Sequence, residues 1–383
     1  MSGSRSLSSP AGAPATRRAF RCHCGRPVFF RNSRCLACGT PLGYLPSAQA
    51  LHPLRAGHAA GTWTPKAADA DGEPSYRRCG NFDSAAACNW LVEQDAPAGI
   101  RLCAACRLNR TIPDLSHPPN PPLWLQMERA KRRLVSQLIG LGLPVRSRVD
   151  DPQAGLSFDI LSTQPGGARV LTGYHDGIIT LNLEEADDAV RERTRVDLRE
   201  PYRTLLGHFR HEVGHYYWQR LIAGTPREAD GRHLFGDERK DYATALRAHY
   251  ERGPPADWSR CFVSAYASIH PCEDWAESWA HYLHVRDTLD TAASFGISAE
   301  SMDMGTADFS TAELWRQDAP DAADFIVMLH RWILITGVMN EMSRAMGQHD
   351  FYPFVLPRPA VAKLHFIHGI ISEFEASDRS IVP

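Results

Sequence analysis

The sequence predicts an α+β protein, in which a mostly helical domain with a small sheet follows two small cysteine-bearing units. Three observations support this fold class. Eight of the ten cysteines lie before residue 107, apolar residues recur at helical spacing in several segments after residue 120, and alternating apolar residues between residues 156 and 183 indicate strands. A chain of 383 residues has room for two or three such domains.

The composition is typical of a soluble globular protein, because 43% of the residues are hydrophobic and 22% are charged. No run of eighteen apolar residues is present, which argues against a membrane span and a membrane partner. Residues 1–20 are rich in Ser, Ala, Pro and Arg without an apolar core, so they predict a disordered tail and not a secretory signal. We therefore expect a cytoplasmic protein.

The first cysteine cluster has the pattern of a zinc ribbon. A Cys-x-Cys-Gly pair and a Cys-x-x-Cys-Gly pair are separated by ten residues, and they contain Cys22, Cys24, Cys35 and Cys38. In a chain without a secretion signal, close cysteine pairs indicate metal ligands rather than disulfides. We predict that residues 21–46 form a first zinc ribbon, whose closed four-thiolate site stabilises folding and performs no chemistry.

A second cluster predicts a second structural zinc within residues 76–120. Its spacing is less regular, and its members are Cys79, Cys88, Cys103 and Cys106. The sequence leaves open whether ligands are shared between the two clusters. Residues 47–75 contain much Ala, Gly and Pro with few large apolar residues, so we predict a linker between the two units.

The net charge of −2 conceals an asymmetry along the chain. Residues 1–150 contain 20 Lys and Arg against 9 Asp and Glu, whereas the remaining residues contain 22 against 35. A basic front end is able to bind nucleic acid or an acidic partner, although zinc-bound thiolates would reduce the positive surplus. Nucleic acid is therefore a weakly supported alternative partner.

The segment between the cysteines and the first histidine motif predicts one helix and three strands. A helix begins at Pro121, with a stripe of leucines and a methionine as its apolar face. Extended segments follow at Leu156–Leu161, Arg169–Tyr174 and Ile178–Leu183, and Asp176-Gly177 is a hairpin signal between the last two. This hairpin is either an ordinary sheet edge or the place where an extended substrate pairs.

The stretch Leu205–Leu221 contains a His-Glu-x-x-His motif, formed by His211, Glu212 and His215. Its apolar residues recur at helical spacing, so the two histidines fall on one face, where they can bind one cation. Glu212 beside them is placed to take a proton from water whose pKa the metal lowers. Without a metal, the same pattern describes an ordinary amphipathic helix.

A later segment offers a third metal ligand, which the His-Glu-x-x-His motif lacks. Glu273 and Glu277 lie four residues apart on a predicted helix, and a zinc hydrolase needs a third protein ligand and an open fourth position. Glu273 would complete that set, and Glu277 one turn further would accept a hydrogen bond from a ligand histidine. Tyr266 is placed to donate to a developing oxyanion, or else it is a buried structural tyrosine. Helices around Asp324–Met346 and Ala360–Ser372 predict a scaffold behind the site.

Over roughly residues 20–375 the chain resembles a bacterial family of zinc-binding metallopeptidases, with amino-terminal zinc ribbons ahead of a zincin-like domain. The resemblance is carried by the segments CHCGRPVFF, CLACG, CRLNRTIPDL, HFRHEVGHYYW and EDWAESWAHYLH. It implies a zincin-like fold for residues 121–375. The second motif is also similar to the gluzincin pattern, which implies that Glu273 is a zinc ligand, that Glu277 supports a ligand, and that Tyr266 assists the oxyanion.

Two functions from different classes follow from these observations. The principal hypothesis is a zinc metallopeptidase with one catalytic and two structural zinc ions, in which Glu212 is the general base and a peptide or protein is the substrate. The alternative is a zinc-ribbon binding module for nucleic acid or protein, whose larger domain is catalytically silent. The sequence names neither the substrate nor the oligomeric state.

Overall fold

A computed structural model describes residues 16–379 except 67–73, 98, 164–166, 168–169, 199 and 303–308. Of the predicted disordered tail, residues 1–15 lie outside this range. The prediction is wrong for residues 16–20, because Thr16 and Arg18 are buried and the first strand begins at Ala19. A short arm without an apolar run is held here by charge and hydrogen bonds, which hydropathy does not detect.

The amino-terminal unit consists of two antiparallel sheets. Strands β1 and β2 pair as a small hairpin, and five further strands form a sheet in the order β3-β4-β5-β6-β7. The strands are β1 Ala19–Arg21, β2 Pro27–Phe29, β3 Leu42–Leu45, β4 Ala50–Ala56, β5 Thr62–Pro65, β6 Tyr76–Arg78 and β7 Leu91–Glu93. Because β3 follows the first cysteine cluster and β6 precedes the second, one sheet connects both clusters.

The predicted linker over residues 47–75 is therefore wrong where the structure describes it. Strands β4 and β5 lie within it, and Leu51, Leu54 and Thr64 are buried while the residues beside them are more exposed. The strands are rich in small and polar residues, so their alternation was weak in the sequence. Instead of two separate ribbons, the cysteine clusters share one sheet.

The larger domain contains a four-stranded mixed sheet and eight helices among the described residues. The sheet has the order β10-β11-β9-β8, with β8 Asn109–Thr111, β9 Ser157–Leu161, β10 Gly173–His175 and β11 Ile178–Asn182. The helices are α1 Asn120–Gly140, α2 Asp188–Asp197, α3 Leu205–Leu221, α4 Glu228–Phe235, α5 Tyr242–Arg252, α6 Pro271–Ser294, α7 Ala322–Ala345 and α8 Arg358–Arg379. Strand β8 comes from the predicted second ribbon but pairs in parallel with β9, so the sheet crosses the expected domain boundary.

The predicted hairpin is present, and it leaves one strand at the edge of this sheet. β10 pairs antiparallel with β11, and Asp176 and Gly177 in the turn have φ values of 43° and 75°. Two consecutive positive φ angles are the geometry that favours Asp-Gly in tight hairpins. The strand is shorter than the predicted Arg169–Tyr174 segment, whose first residue is outside the described range.

Helices α3 and α6 pack closely at a glycine. A Cβ atom on Gly214 would lie only 3.0 Å from the Cα of Ala276 and 3.3 Å from the Cβ of Trp279. The indole Nε1 of Trp275 donates a 2.8 Å hydrogen bond to the carbonyl of Gly214, and Trp279 stacks on Tyr217 with ring centroids 4.8 Å apart. These contacts fix the separation and register of the two helices.

Helix α7 is the one helix in the described part of the chain that is long and apolar enough to cross a membrane, judged by length and composition alone. A third of its most apolar window is buried. Phe325, Leu329 and Trp332 are buried in the core, and Trp332 packs edge-on against Tyr352 with ring centroids 4.8 Å apart. Core helices of soluble proteins have the same length and composition, so α7 is weak evidence for a membrane span.

Two buried carboxylates on α6 join the amino-terminal arm to the larger domain: Asp290 accepts from the backbone and hydroxyl of Thr16, and Asp287 binds Arg18. Asp287 on α6 accepts from Arg18 at 2.8 Å, from Arg133 at 2.7 Å and from Arg210 at 2.7 Å. Burial alone would raise the pKa of Asp287, but the three positive charges outweigh it and hold the pKa far below its usual range. Asp287 thus ties together the arm, α1 and α3.

We expect Asp287→Asn to destabilise the protein by about 3–5 kcal/mol, because it leaves three arginines around a neutral group in a buried place. The measurement is the free energy of unfolding in urea. Asp188→Asn is the matched control, since its side chain is 81% exposed and pairs with Arg191. Equal stability of the two variants would contradict the role given to Asp287.

Gly214→Ala should destabilise the protein by about 1–3 kcal/mol, because the added methyl group has no space between α3 and α6. Gly337→Ala is the control, since Gly337 also lies within a helix, but apart from its chain neighbours and the backbone of its own helix no described atom lies within 4 Å of the place that its methyl group would take. That control should be neutral or gain up to about 1 kcal/mol from helix propensity. Thermal unfolding compares the two, and a Gly214→Ala variant as stable as Gly337→Ala would refute the packing argument.

Candidate metal centre

Three side chains from two helices converge at the predicted site. His211 and His215 lie one turn apart on α3, and Glu273 lies in the first turn of α6. The Oε2 atom of Glu273 is 2.9 Å from Nε2 of His211 and 3.8 Å from Nε2 of His215. His211 and Glu273 are buried, and His215 is half-buried. The structure thus brings together the three residues that sequence reasoning singled out as ligands.

The donor atoms fit a zinc ion. All three lie within 4.8 Å of one another, and zinc with bonds of about 2.1 Å in tetrahedral geometry places its donors about 3.4 Å apart. The buried Oε2 atom of Glu273 forms no well-directed hydrogen bond with any described residue, although Nε2 of His211 lies 2.9 Å away. Such an atom is costly unless something binds it. Two imidazoles and one carboxylate also leave the open position that catalytic zinc sites retain.

Glu277 and Ser264 orient the first histidine. The Oε1 atom of Glu277 lies 2.8 Å from Nδ1 of His211, and Ser264 donates a 2.6 Å hydrogen bond to the other oxygen. A proton on Nδ1 leaves Nε2 without a proton, so its lone pair is free to bind a metal ion beside Glu273. The contact of Glu277 with a ligand histidine follows from helical spacing. Ser264 carries no sequence signal, because it comes from the loop before α6.

Glu212 has one oxygen engaged and one free. Its Oε1 atom lies 3.2 Å from Nε2 of His208, whereas its buried Oε2 atom has no hydrogen-bond partner among the described residues. Burial would raise the pKa of Glu212, but the hydrogen bond from His208 and the nearby histidines outweigh it and lower the pKa. A carboxylate that is ionised at neutral pH is able to accept a proton.

His208 and Glu185 are functional candidates that the sequence analysis missed. Nδ1 of His208 lies 2.5 Å from Oε2 of Glu185, on the side away from Glu212. The sequence spacing did indicate His208, because it precedes Glu212 by four residues and so lies on the same face of the helix. Glu185 lies in a short turn after β11 and offered no such signal.

Two tyrosines lie over the ligands. The ring centroid of Tyr266 is 5.7 Å from that of His211, and burial together with the charge of Glu273 raises the pKa of Tyr266 well above its usual value. Its phenol therefore keeps its proton. Tyr242, at the start of α5, was not predicted; burial and the neighbouring Glu273 raise its pKa as well. Both phenols are available as hydrogen-bond donors.

The site is bordered by a sheet edge and a loosely packed helix. Tyr174 on the edge strand β10 stacks on His215, with ring centroids 6.2 Å apart and planes inclined by 21°. Helix α5, which carries Tyr242, has no buried residue. The metal centre is therefore next to β10, which is an edge strand among the described residues, and next to Tyr242 of a helix that contributes little to the core.

The eight amino-terminal cysteines form two separate clusters. In each cluster the four sulfur atoms lie within 4.8 Å of one another, so no ligand is shared between them. Cys22 and Cys38 approach to 3.6 Å in the first cluster, as do Cys88 and Cys103 in the second. The first cluster is partly exposed, whereas all four cysteines of the second are buried. Each cluster is a closed four-sulfur set suited to structural zinc.

Comparison with known proteins agrees with a division of the chain into an amino-terminal zinc-ribbon unit and a larger domain. The family model described as "Putative zinc-binding metallo-peptidase" matches residues 120–370, and a zinc-ribbon domain model matches residues 19–117, across both cysteine clusters. An uncharacterized protein of Mycobacterium bovis and two of Mycobacterium tuberculosis are each 42% identical over 358 residues, which cover 93% of this chain and 96% of each relative. No solved structure matches the chain.

The extent of these matches decides the family. The metallo-peptidase model covers well over half of the chain, and it includes both histidines of α3 and both glutamates of α6. The mycobacterial relatives align over nearly the whole length, through the zinc ribbon as well as the larger domain. This chain therefore belongs to the family described as "Putative zinc-binding metallo-peptidase" and carries a zinc-ribbon domain at its amino-terminal end.

Proposed function

We propose that this protein is a zinc-dependent peptidase of the gluzincin type, which hydrolyses peptide or related amide bonds. The convergence of His211, His215 and Glu273, whose donor atoms all lie within 4.8 Å of one another, is the observation that carries the proposal. These three residues would hold the metal. Family membership supports the same reaction class.

The residues of the chain divide the reaction between them. Bound zinc would supply Lewis acidity, which polarises a carbonyl group and lowers the pKa of water. The free Oε2 atom of Glu212 takes a proton from the attacking water, and the same carboxyl group then gives that proton to the leaving amine. Tyr266 donates a hydrogen bond to the oxygen that gains negative charge. Glu277, through His211, keeps the ligand ring in one orientation.

The edge strand β10 is proposed as the docking edge for substrate. It lies at the end of the sheet, and its Tyr174 stacks on the ligand His215, so a strand paired with it would run past the metal centre. Main-chain pairing of this kind binds an extended peptide with little dependence on sequence. Tyr242 on α5, which neighbours Glu273, would border the bound chain at the metal centre.

The zinc ribbon is proposed to support the larger domain structurally. Strand β8, next to the second cysteine cluster, pairs with β9 of the domain sheet. Arg132 on α1 donates a 2.9 Å hydrogen bond to the carbonyl of Ala86, which precedes Cys88 by two residues. Asn109 in β8 donates a 3.1 Å hydrogen bond to Glu128 on α1. These polar contacts tie the second cluster to α1, and α1 packs against the metal-site helix α3.

Glu212→Gln should lower kcat by about 10²- to 10⁴-fold without changing zinc content, because the amide cannot accept the proton but is not a metal ligand. Zinc-loaded protein is incubated with quenched fluorescent casein and with a peptide library from a proteome digest, and new termini are identified by mass spectrometry. Glu341→Gln is the control, since its side chain is 71% exposed and pairs with Arg344. Full activity of Glu212→Gln would refute the mechanism.

Zinc content should distinguish the three clusters. The wild-type chain is expected to bind three zinc ions, one for each ligand group, and Glu273→Gln should bind two, because an amide is a poor ligand. Inductively coupled plasma mass spectrometry counts the metal. A chelator should remove the same single ion first, because its site is open and the cysteine clusters are closed. A Glu273→Gln variant that still binds three zinc ions would exclude this carboxylate as a ligand.

A further inference from the structure

His208 lies between two carboxylates, although it belongs to no ligand group. Its Nε2 atom is 3.2 Å from Oε1 of Glu212, and its Nδ1 atom is 2.5 Å from Oε2 of Glu185. The ring is largely buried, with 18% of the side chain exposed. Its centroid lies 6.4 Å from that of His211, and it is not one of the three side chains that converge on the metal centre.

Glu185 is itself held in place. The hydroxyl of Thr172 donates a 2.8 Å hydrogen bond to its Oε1 atom, and Arg203 lies 3.4 Å from its Oε2 atom. Burial would raise the pKa of Glu185, but the charges of His208 and Arg203 outweigh it and lower the pKa to about 2. Glu185 is therefore a fixed anion behind the imidazole ring.

The two contacts favour a proton on both nitrogens of His208. An imidazole that carries only one proton would direct a lone pair at one of the two carboxylates, which is unfavourable in a buried place. Burial lowers the pKa of His208, but the charge and hydrogen bond of Glu185 and the hydrogen bond of Glu212 raise it to about 9. Each carboxylate thus faces one nitrogen of a positively charged ring, at 2.5 Å for Glu185 and 3.2 Å for Glu212.

We propose that His208 is a positioning residue for the general base: it donates from Nε2 to Oε1 of Glu212, is anchored through Nδ1 by Glu185, and so keeps the free Oε2 of Glu212 turned toward the metal centre. This role rests on the proposed peptidase function. A glutamate side chain has three rotatable bonds, and only one of its oxygens is needed for proton transfer. A hydrogen bond that occupies the other oxygen removes most of that freedom before substrate binds.

Two substitutions of His208 test its two carboxylate contacts one at a time. The terminal amide of glutamine reaches the position of Nε2, so His208→Gln can still donate to Glu212 but does not reach Glu185. The shorter asparagine amide reaches the position of Nδ1, so His208→Asn can donate to Glu185 alone. Both variants remove the imidazole and its charge, and therefore any difference between them reports which contact matters.

Peptide cleavage by the zinc-loaded variants is measured as kcat and KM, with zinc content determined in parallel. We expect His208→Asn to lose about 10- to 100-fold in kcat at unchanged KM and zinc content, and His208→Gln to recover most of that loss. The exposed His58→Asn is the control. The proposal is overturned if both variants keep wild-type kcat, if both lose it equally, or if the loss comes from zinc content.

Nuclear magnetic resonance gives a readout that does not depend on turnover. In protein labelled with ¹⁵N in its histidine rings, the signals absent from His208→Asn identify His208, and both nitrogens should show the shifts of protonated sites. Glu212→Gln should move the Nε2 signal far more than the Nδ1 signal. An unmoved Nε2 signal would overturn the proposal even in an active enzyme. Absence of cleavage by wild-type protein would instead defeat the proposed function, while the NMR result still reports on the contact.

Discussion

The close packing of α3 against α6 at Gly214 is the constraint on which the candidate site depends. The histidines of α3 are brought together by helical spacing alone, but Glu273 reaches them only because the two helices touch without an intervening side chain. Trp275 fixes the register by donating to the carbonyl of Gly214. The positions of Glu277 and Tyr266 follow, since one lies on α6 and the other in the turn that precedes it. A single α-carbon without a side chain thus sets the geometry of the entire centre.

The centre also concentrates negative charge where little water is present. Glu185, Glu212 and Glu273 are buried, and Glu277 is largely so. Buried carboxylates are stable only when cations or hydrogen bonds compensate them. His208 serves two of these carboxylates, and His211 lies between the other two, with its ring nitrogens 2.9 Å from Glu273 and 2.8 Å from Glu277. A dication held by His211, His215 and Glu273 is well suited to complete this balance.

Those features that depend on residues close together in sequence could be predicted from the sequence. Helix α3 has the bounds that apolar spacing indicated, the Asp176-Gly177 turn forms the expected hairpin, and the cysteine pairs cluster as their spacing implied. What could not be predicted depends on contacts distant in sequence. Ser264, Glu185 and Tyr242 acquire their roles only when loops and a short helix meet the ligands. The arm at Thr16 and the strands β4 and β5 were missed because charge pairing and a shared sheet, not hydrophobic periodicity, hold them.

The strand β8 has a consequence for how the molecule can be divided. The zinc-ribbon model ends at residue 117 and the metallo-peptidase model begins at residue 120, yet β8 lies before this junction and pairs in parallel with β9 beyond it. A fragment that begins at the junction would expose the side of β9 that pairs with β8 at Phe158 and Asp159. Bare strand edges of this kind recruit other chains and lead to aggregation. Insolubility of such a fragment would therefore report a broken sheet and would carry no information about whether the zinc ribbon takes part in catalysis.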